Sequence, residues 1–181
     1  AGWLVKSKDE VNLSAGIGIA LRETNTESGS ADYILFVNSK AFGVIEAKKE
    51  DLGYKLLQVE EQSLRYSKDA IKIGKFTLES EKPFVYESTG TVTRFTDYRD
   101  PKPRGRNVFW FHKPETIAEW IKKGTSLRER LLSMPVLDQT GLRPAQIVAV
   151  ENLETSFKNN RPKALIQMAT GAGKTFTAAT F

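Results

Sequence analysis

Ser30-Ala-Asp-Tyr-Ile-Leu-Phe-Val37, followed by Asn38-Ser39-Lys40 and then Ala41-Phe-Gly-Val-Ile-Glu-Ala-Lys-Lys49, is the stretch on which the reading of this chain turns. Two β-rich runs, Tyr33 to Val37 and Ala41 to Ile45, flank three polar residues, and this composition predicts a hairpin with a tight connection. In a hairpin symmetric about Ser39, Asp32 lies directly opposite Glu46, because positions equally distant from the turn centre pair across antiparallel strands. Lys48 shares their face, since residues two apart on a strand point the same way. Two carboxylates and one ammonium are thus expected on one side of a ribbon whose other positions are mostly apolar. An Asp and a Glu held a few ångströms apart repel each other unless a cation lies between them, and hard oxygen donors of this kind suit Mg²⁺. Such an ion polarises a phosphate oxygen and acidifies a bound water, with Lys48 placed to orient that water or to offset charge in the transition state. The same three residues also fit an ordinary salt-bridged hairpin rim, and a β-bulge would move the register by one and undo the pairing.

Composition bounds the alternatives. The 181 residues suffice for one good core and the beginning of a second domain. With 27 basic against 22 acidic side chains the net charge is +5, a modest excess that suits a polyanionic partner. There are no cysteines, which excludes disulfides, zinc-thiolate sites and thiol nucleophiles, and the single histidine, His112, leaves little room for a histidine metal site or a triad. No apolar run approaches the roughly 18 residues of a membrane span and no signal peptide is visible, so a cytoplasmic protein with no membrane partner is expected.

Around the hairpin, the chain reads as a mixed α/β protein. Ala1-Gly-Trp-Leu-Val5 resembles the end of an element, Gly16–Glu23 alternates like a first strand, and Thr24–Ser30 is a polar loop. Tyr54 to Ile71 has apolar residues at helical spacing and places Gln62 and Tyr66 on one face. Pro83–Glu87 and Thr91–Phe95 are strands joined by Ser88-Thr89-Gly90. Tyr98–Arg106 is basic, with Lys102, Arg104 and Arg106 suited to phosphate contacts or to a solvated loop beside an aromatic strand, Phe109-Trp-Phe111. Thr116–Lys123 is a helix ended by Gly124, and Leu127–Met134 is a shorter one. Pro135 to Thr140, where periodicity lapses, reads as a linker.

Beyond it, Leu142-Arg-Pro-Ala-Gln146 opens a helix, and Lys163–Met168 reads as a buried strand running into Ala169-Thr-Gly-Ala-Gly-Lys-Thr175 and a new helix. This is a phosphate-cradling loop. Gly171 and Gly173 let backbone N–H groups approach an anion, Lys174 reaches the β- and γ-phosphates of ATP, and Thr175 holds Mg²⁺. Met168 stands where the strict P-loop pattern has glycine. The sequence stops within the following helix, with no Walker B pair and no arginine finger after it, so the chain reads as a piece of something longer and not itself competent for ATP hydrolysis.

Several blocks carry a resemblance. Asp32 followed by Glu46-Ala47-Lys48 resembles the PD-(D/E)xK nuclease core. Ala31–Val37, Val44–Lys49, Pro83–Gly90 and Phe111–Thr116 resemble the N-terminal nuclease domain of the R subunit, HsdR, of type I restriction enzymes. Gln62 and Tyr66 resemble the Gln-x-x-x-Tyr motif of RecB-like nucleases, Ala169–Thr175 resembles motif I of superfamily 2 helicases, and Gln146 resembles their adenine-reading Q motif. The resemblance implies a restriction-endonuclease-like mixed sheet flanked by helices over residues 1–134, a linker at 135–141, and a truncated RecA-like P-loop domain over 142–181. It implies that Asp32, Glu46 and the Ala47 carbonyl bind Mg²⁺, that Lys48 assists the attacking water, and that Gln62 and Tyr66 position the strand. Partners would be double-stranded DNA and the methylation (M) and specificity (S) subunits of the restriction complex. In that family an acidic residue on a helix before Gly2-Trp3 lies near the metal, and a basic residue precedes the Ala-Asp pair; here the helix is missing and Ser30 takes the second place. Two alternatives stand beside this reading: a RecB-like repair or recombination nuclease-helicase, and a catalytically silent DNA-docking module.

Overall fold

Strands β3 (Ser30–Val37) and β4 (Lys40–Ala47) form the expected hairpin. A computed structural model describes residues 1–48, 63–161 and 163–180, and the chain divides into two compact units, Ala1–Gly124 and Thr125–Phe181. The first unit also holds β1 (Leu4–Lys6), β2 (Gly18–Thr26), β5 (Ile71–Ile73), β6 (Phe76–Leu78), β7 (Phe84–Ser88), β8 (Thr93–Asp97) and β9 (Arg106–Val108). Among the described residues these make one nine-stranded mixed sheet in the order β6-β5-β2-β3-β4-β7-β8-β9, with β1 beside β2. The β1–β2 and β4–β7 pairs are parallel and the rest antiparallel.

The central strands are buried on both faces, which is why β3 and β4 read as nearly continuous apolar runs rather than alternating ones. One face packs Ile34, Phe36 and Val44 with Ile19, Leu21 and Ile71; the other packs Leu35, Val37 and Ile45 with Phe84, Tyr86, Phe95 and Ile117. On the second face helix α2 (Pro114–Lys123) closes the core through Ile117, with Trp120 and Ile121 beside it. Pro114 at its first turn and Gly124 beyond its last (φ 73°, N–H to the Ile121 carbonyl) set its limits, so it starts two residues before the expected Thr116. Arg99 straps α2 to the sheet by pairing with Asp97 (2.7 Å) and donating to the Trp120 carbonyl (3.0 Å).

The hairpin departs from the expected geometry twice. Its connection is two residues, not three: Val37 pairs with Lys40, and Asn38 and Ser39 take the positive φ values (48° and 65°) of a primed turn. A one-residue irregularity between Leu35 and Phe36 then shifts the register, so that Leu35 faces Gly43, Ile34 faces Val44 and Tyr33 faces Ile45. The bulge thus restores the register that symmetry about Ser39 predicts. The two departures cancel, and the paired ladder ends at Tyr33–Ile45, one residue short of Asp32 and Glu46.

Other expectations move. β1 is a strand parallel to β2 where Ala1–Val5 suggested the end of an element. The Thr24–Ser30 loop shrinks because β2 continues to Thr26, whose N–H bonds the Gly29 carbonyl across a short turn (2.6 Å). Helix α1 is described over 63–68; the rest of the expected Tyr54–Ile71 helix up to residue 62 lies outside the described residues, and its end is cut short because Ile71 begins β5. The aromatic run after β9 is not a core strand. Phe109 is 98% and Trp110 83% exposed, and Phe111 alone of the three packs, against Tyr86.

The second unit contains α3 (Leu127–Arg130), a 3₁₀ turn at Leu131–Ser133, α4 (Pro144–Lys158) and α5 (Lys174–Thr180). Residues 134–139 form neither helix nor strand. The expected strand at 163–168 does not form, and Leu165 is largely exposed: a strand needs a ladder partner, and none of the described residues supplies one.

Candidate active site and phosphate-binding loop

Beyond Tyr33–Ile45 the hairpin opens. The Ala47 N–H donates to the Asp32 carboxylate (Oδ2, 2.7 Å), so a side chain stands in for a ladder carbonyl, while β4 continues against β7 with the Lys48 N–H donating to the Ser88 carbonyl (2.7 Å). Glu46 is buried (1% exposed), and its Oε2 accepts from the Lys48 ammonium at 3.1 Å. Burial is the main cause that lifts the Glu46 carboxyl above the usual carboxylate range; the Asp32 charge adds to it, and the hydrogen bond from Lys48 opposes it. Asp32, Glu46, Ala47 and Lys48 therefore meet at one end of the ribbon.

Tyr66 lies on α1 and packs, 7% exposed, in the core on the face that carries Ile34 and Val44, two residues from Asp32 and Glu46 respectively. Its hydroxyl end is against Gly29, where an added Cβ would lie 2.8 Å from it. Gln62 lies outside the described residues.

In the second unit Gly171 (φ 77°) and Gly173 (φ 84°) adopt left-handed backbone that side chains disfavour. The Lys174 ammonium donates to the Met168 and Ala169 carbonyls (3.1 Å each), spanning the loop it closes. Gln146 is 2% exposed and bridges two backbones: its Oε1 accepts from the Arg143 N–H (2.8 Å) and its Nε2 donates to the Gly173 carbonyl (3.1 Å). Thr175 stands exposed in the first turn of α5.

Residues 8–121 match the family described as the second domain of the type I restriction enzyme EcoKI endonuclease subunit. The chain belongs to the type I restriction enzyme endonuclease subunits. Residues 139–181 match a second family, the res subunit of type III restriction enzymes, so this HsdR chain runs from the N-terminal region into the start of the helicase-type region. It is 27% identical to the EcoKI endonuclease subunit of Escherichia coli (strain K12), over 98% of this chain and 19% of that protein. It also matches a structure described as a fragment of an HsdR subunit of a type I restriction enzyme from Vibrio vulnificus YJ016, at 21% identity and a TM-score of 0.41, covering 94% of this chain and 34% of that one. The chain thus spans about a fifth of the curated relative it matches. No described helix is long and apolar enough to cross a membrane.

Two residues of this HsdR chain escaped the sequence reading. Glu87 is 1% exposed and in register with Glu46 on the parallel neighbour β7, while Arg94 faces it from β8. Its signal was present: a carboxylate within an otherwise apolar strand, Phe84-Val-Tyr-Glu. Lys82 is fully buried and donates to the Asp69 and Ser80 carbonyls (2.6 Å each), while its N–H bonds the Ser67 carbonyl (2.8 Å). It ties the end of α1 to the start of β7, and burial pushes its ammonium down to about 8, with Asp69 opposing. Nothing in Glu81-Lys82-Pro83 distinguishes it from a solvated charge.

Proposed function

We propose that residues 1–134 are the Mg²⁺-dependent endonuclease domain of a type I restriction R subunit with the restriction-endonuclease-like fold. Residues 142–181 then begin the RecA-like, ATP-driven translocase, joined through 135–141. The observation that carries the reading is the meeting of Asp32, Glu46, Ala47 and Lys48 where β3 parts from β4. These residues fit Mg²⁺. Two carboxylates and a backbone carbonyl leave room for waters and a phosphate oxygen, as Mg²⁺ prefers, and the mutual effect of Asp32 and Glu46 is what a cation relieves. Among the described residues no group of three acidic or histidine side chains forms a closed metal cage.

In this reading Asp32, Glu46 and the Ala47 carbonyl would hold the ion, which when bound supplies Lewis acidity toward a phosphodiester oxygen. Asp32 also fixes the Ala47 backbone through its accepted hydrogen bond. Lys48 leaves Glu46 to orient the attacking water and to offset charge at the phosphate. Gln62 and Tyr66 hold the strand. In the motor segment Gln146 reads adenine, Gly171 and Gly173 open the loop to the phosphates of ATP, Lys174 contacts them and Thr175 takes the nucleotide's Mg²⁺. The full protein then works in the cytoplasm with M and S subunits, drawing double-stranded DNA past the complex and cutting it away from the recognition site.

Calorimetric titration of the full-length subunit with Mg²⁺, in two buffers of different protonation enthalpy, tests the cation site without any reading of activity. The Glu46 carboxyl is raised, so its ionised form costs stability that is recovered as pH falls through the folded value, and an arriving cation must displace the proton in that same window. Binding is expected to weaken and proton release per ion to rise as pH drops toward it. Glu46→Gln should abolish both while leaving the cation-free protein at least as stable at neutral pH. Unchanged Mg²⁺ binding by Glu46→Gln would remove Glu46 from the site.

A further inference from the structure

We infer that the end of the sheet where β4, β7 and β9 terminate carries a second DNA contact, with Phe109 and Trp110 stacking on bases a few steps from the phosphate held at Asp32 and Glu46. This rests on the nuclease reading above. The register places the two features in one row: Ala47 pairs with Ser88, Ser88 with Thr93, and Thr93 with Val108, the residue before Phe109. Three strand spacings amount to about 14 Å, or roughly four base steps of about 3.4 Å. Between them runs a groove of ≈ 460 Å³ lined by Ser88, the 89–92 turn and Val108 to Phe111. The groove begins at Ser88, whose carbonyl accepts from the Lys48 N–H, one strand away from the end of β4.

Two neighbouring aromatics at 98% and 83% exposure are hydrophobic surface that a folded chain seldom leaves uncovered without a use. The residues leading into them choose the occupant. Lys102, Arg104 and Arg106 are exposed, and the Arg106 guanidinium lies over the Phe95 ring at 5.4 Å from its centroid. A basic run leading into two open aromatic faces suits a ligand with π-faces and phosphates, which is nucleic acid; an apolar protein segment would leave those charges facing hydrocarbon. On a duplex the pair acts as a wedge that unstacks a base step, with the basic residues on the flanking phosphates.

Because the two rings touch so little of their own chain, their removal does not threaten folding. The test uses the full-length subunit assembled with its M and S partners and duplex DNA carrying 5-iododeoxyuridine in place of thymidine. In an Asp32→Asn background, irradiation is expected to give a covalent adduct that mass spectrometry maps to Phe109 or Trp110. In the otherwise native complex, Phe109→Ala/Trp110→Ala should slow cleavage roughly tenfold or more with ATP hydrolysis unchanged, and Phe109→Tyr/Trp110→Tyr should restore most of it. Absence of any adduct at residues 109–110, or a double alanine variant that cuts at the parental rate, overturns the inference and assigns the surface to a protein contact. Cutting by Asp32→Asn would instead sink the nuclease reading, and the adduct would still report the DNA contact.

Discussion

Asp32→Ala in the full-length subunit is expected to eliminate DNA cleavage, by roughly a hundredfold to a thousandfold or more, while ATP hydrolysis and translocation continue. Asp32 is asked to do two things: to present a carboxylate beside Glu46, and to hold the Ala47 N–H at 2.7 Å where the strands part. Alanine removes both. Asp32→Asn keeps an acceptor oxygen for Ala47 and the shape of the site but deletes the charge. A metal role predicts that asparagine is as inactive as alanine, whereas a scaffold role predicts near-parental cutting. Lys48→Ala should likewise stop cleavage, but by a different route. Its loss frees Glu46 from a 3.1 Å ion pair and, in the proposed role, removes the donor beside the attacking water, so Mg²⁺ binding is expected to survive while the chemical step fails. Measured by plasmid linearisation alongside phosphate release from ATP, Asp32→Asn or Lys48→Ala cutting within tenfold of the parent would remove the catalytic assignment. Neither substitution touches the motor segment, so ATP hydrolysis is the internal control for folding.

The hairpin and its charges were legible because their signals are local. Period-two patterning and a polar turn fix which residues can face one another, and two departures, a connection one residue shorter than expected and a bulge, offset each other. That offset was not legible. Which of several turn lengths forms depends on whether Asn38 and Ser39 tolerate left-handed backbone, and Phe42, the residue the register skips, packs against the core. Glu87 and Lys82 were missed for a related reason: a charge reads as solvated until a partner distant in sequence buries it, and the partners here sit on other strands or past a helix. Phe109 and Trp110 were misread in the opposite sense, since aromatic density is ordinarily the mark of a core. The stretch at 163–168 has the composition of a buried strand, and composition carries no information about which neighbour completes the ladder. The proposed cation set and the loop at 169–175 each draw on residues close in sequence, which stay together through such shifts.

Lys174→Ala is expected to abolish ATP hydrolysis by the full-length subunit, and with it translocation and ATP-dependent cleavage, giving a defect broader than that of Asp32→Asn. The ammonium donates to the Met168 and Ala169 carbonyls at 3.1 Å, so the loop is wrapped round the cation that, in the proposed function, meets the β- and γ-phosphates. Removing it leaves those carbonyls facing an anion with nothing between. Lys174→Arg should fail nearly as badly, because a planar fork does not fit a pocket closed around a point charge. Gly173→Ala reaches the same end through the backbone: its φ is 84°, and an added Cβ would come within 2.6 Å of the Gln146 amide that bridges the loop to α4. Nucleotide affinity should fall in both Gly173→Ala and Lys174→Ala, but Mg²⁺ titration of the carboxylate site should be unaffected in either. The two sets of variants therefore cross: one loses cutting with the motor running, the other loses the motor with the cation site intact. A Lys174→Ala protein that hydrolyses ATP at the parental rate would show that the loop does not cradle the nucleotide, whatever the fate of Asp32 and Glu46.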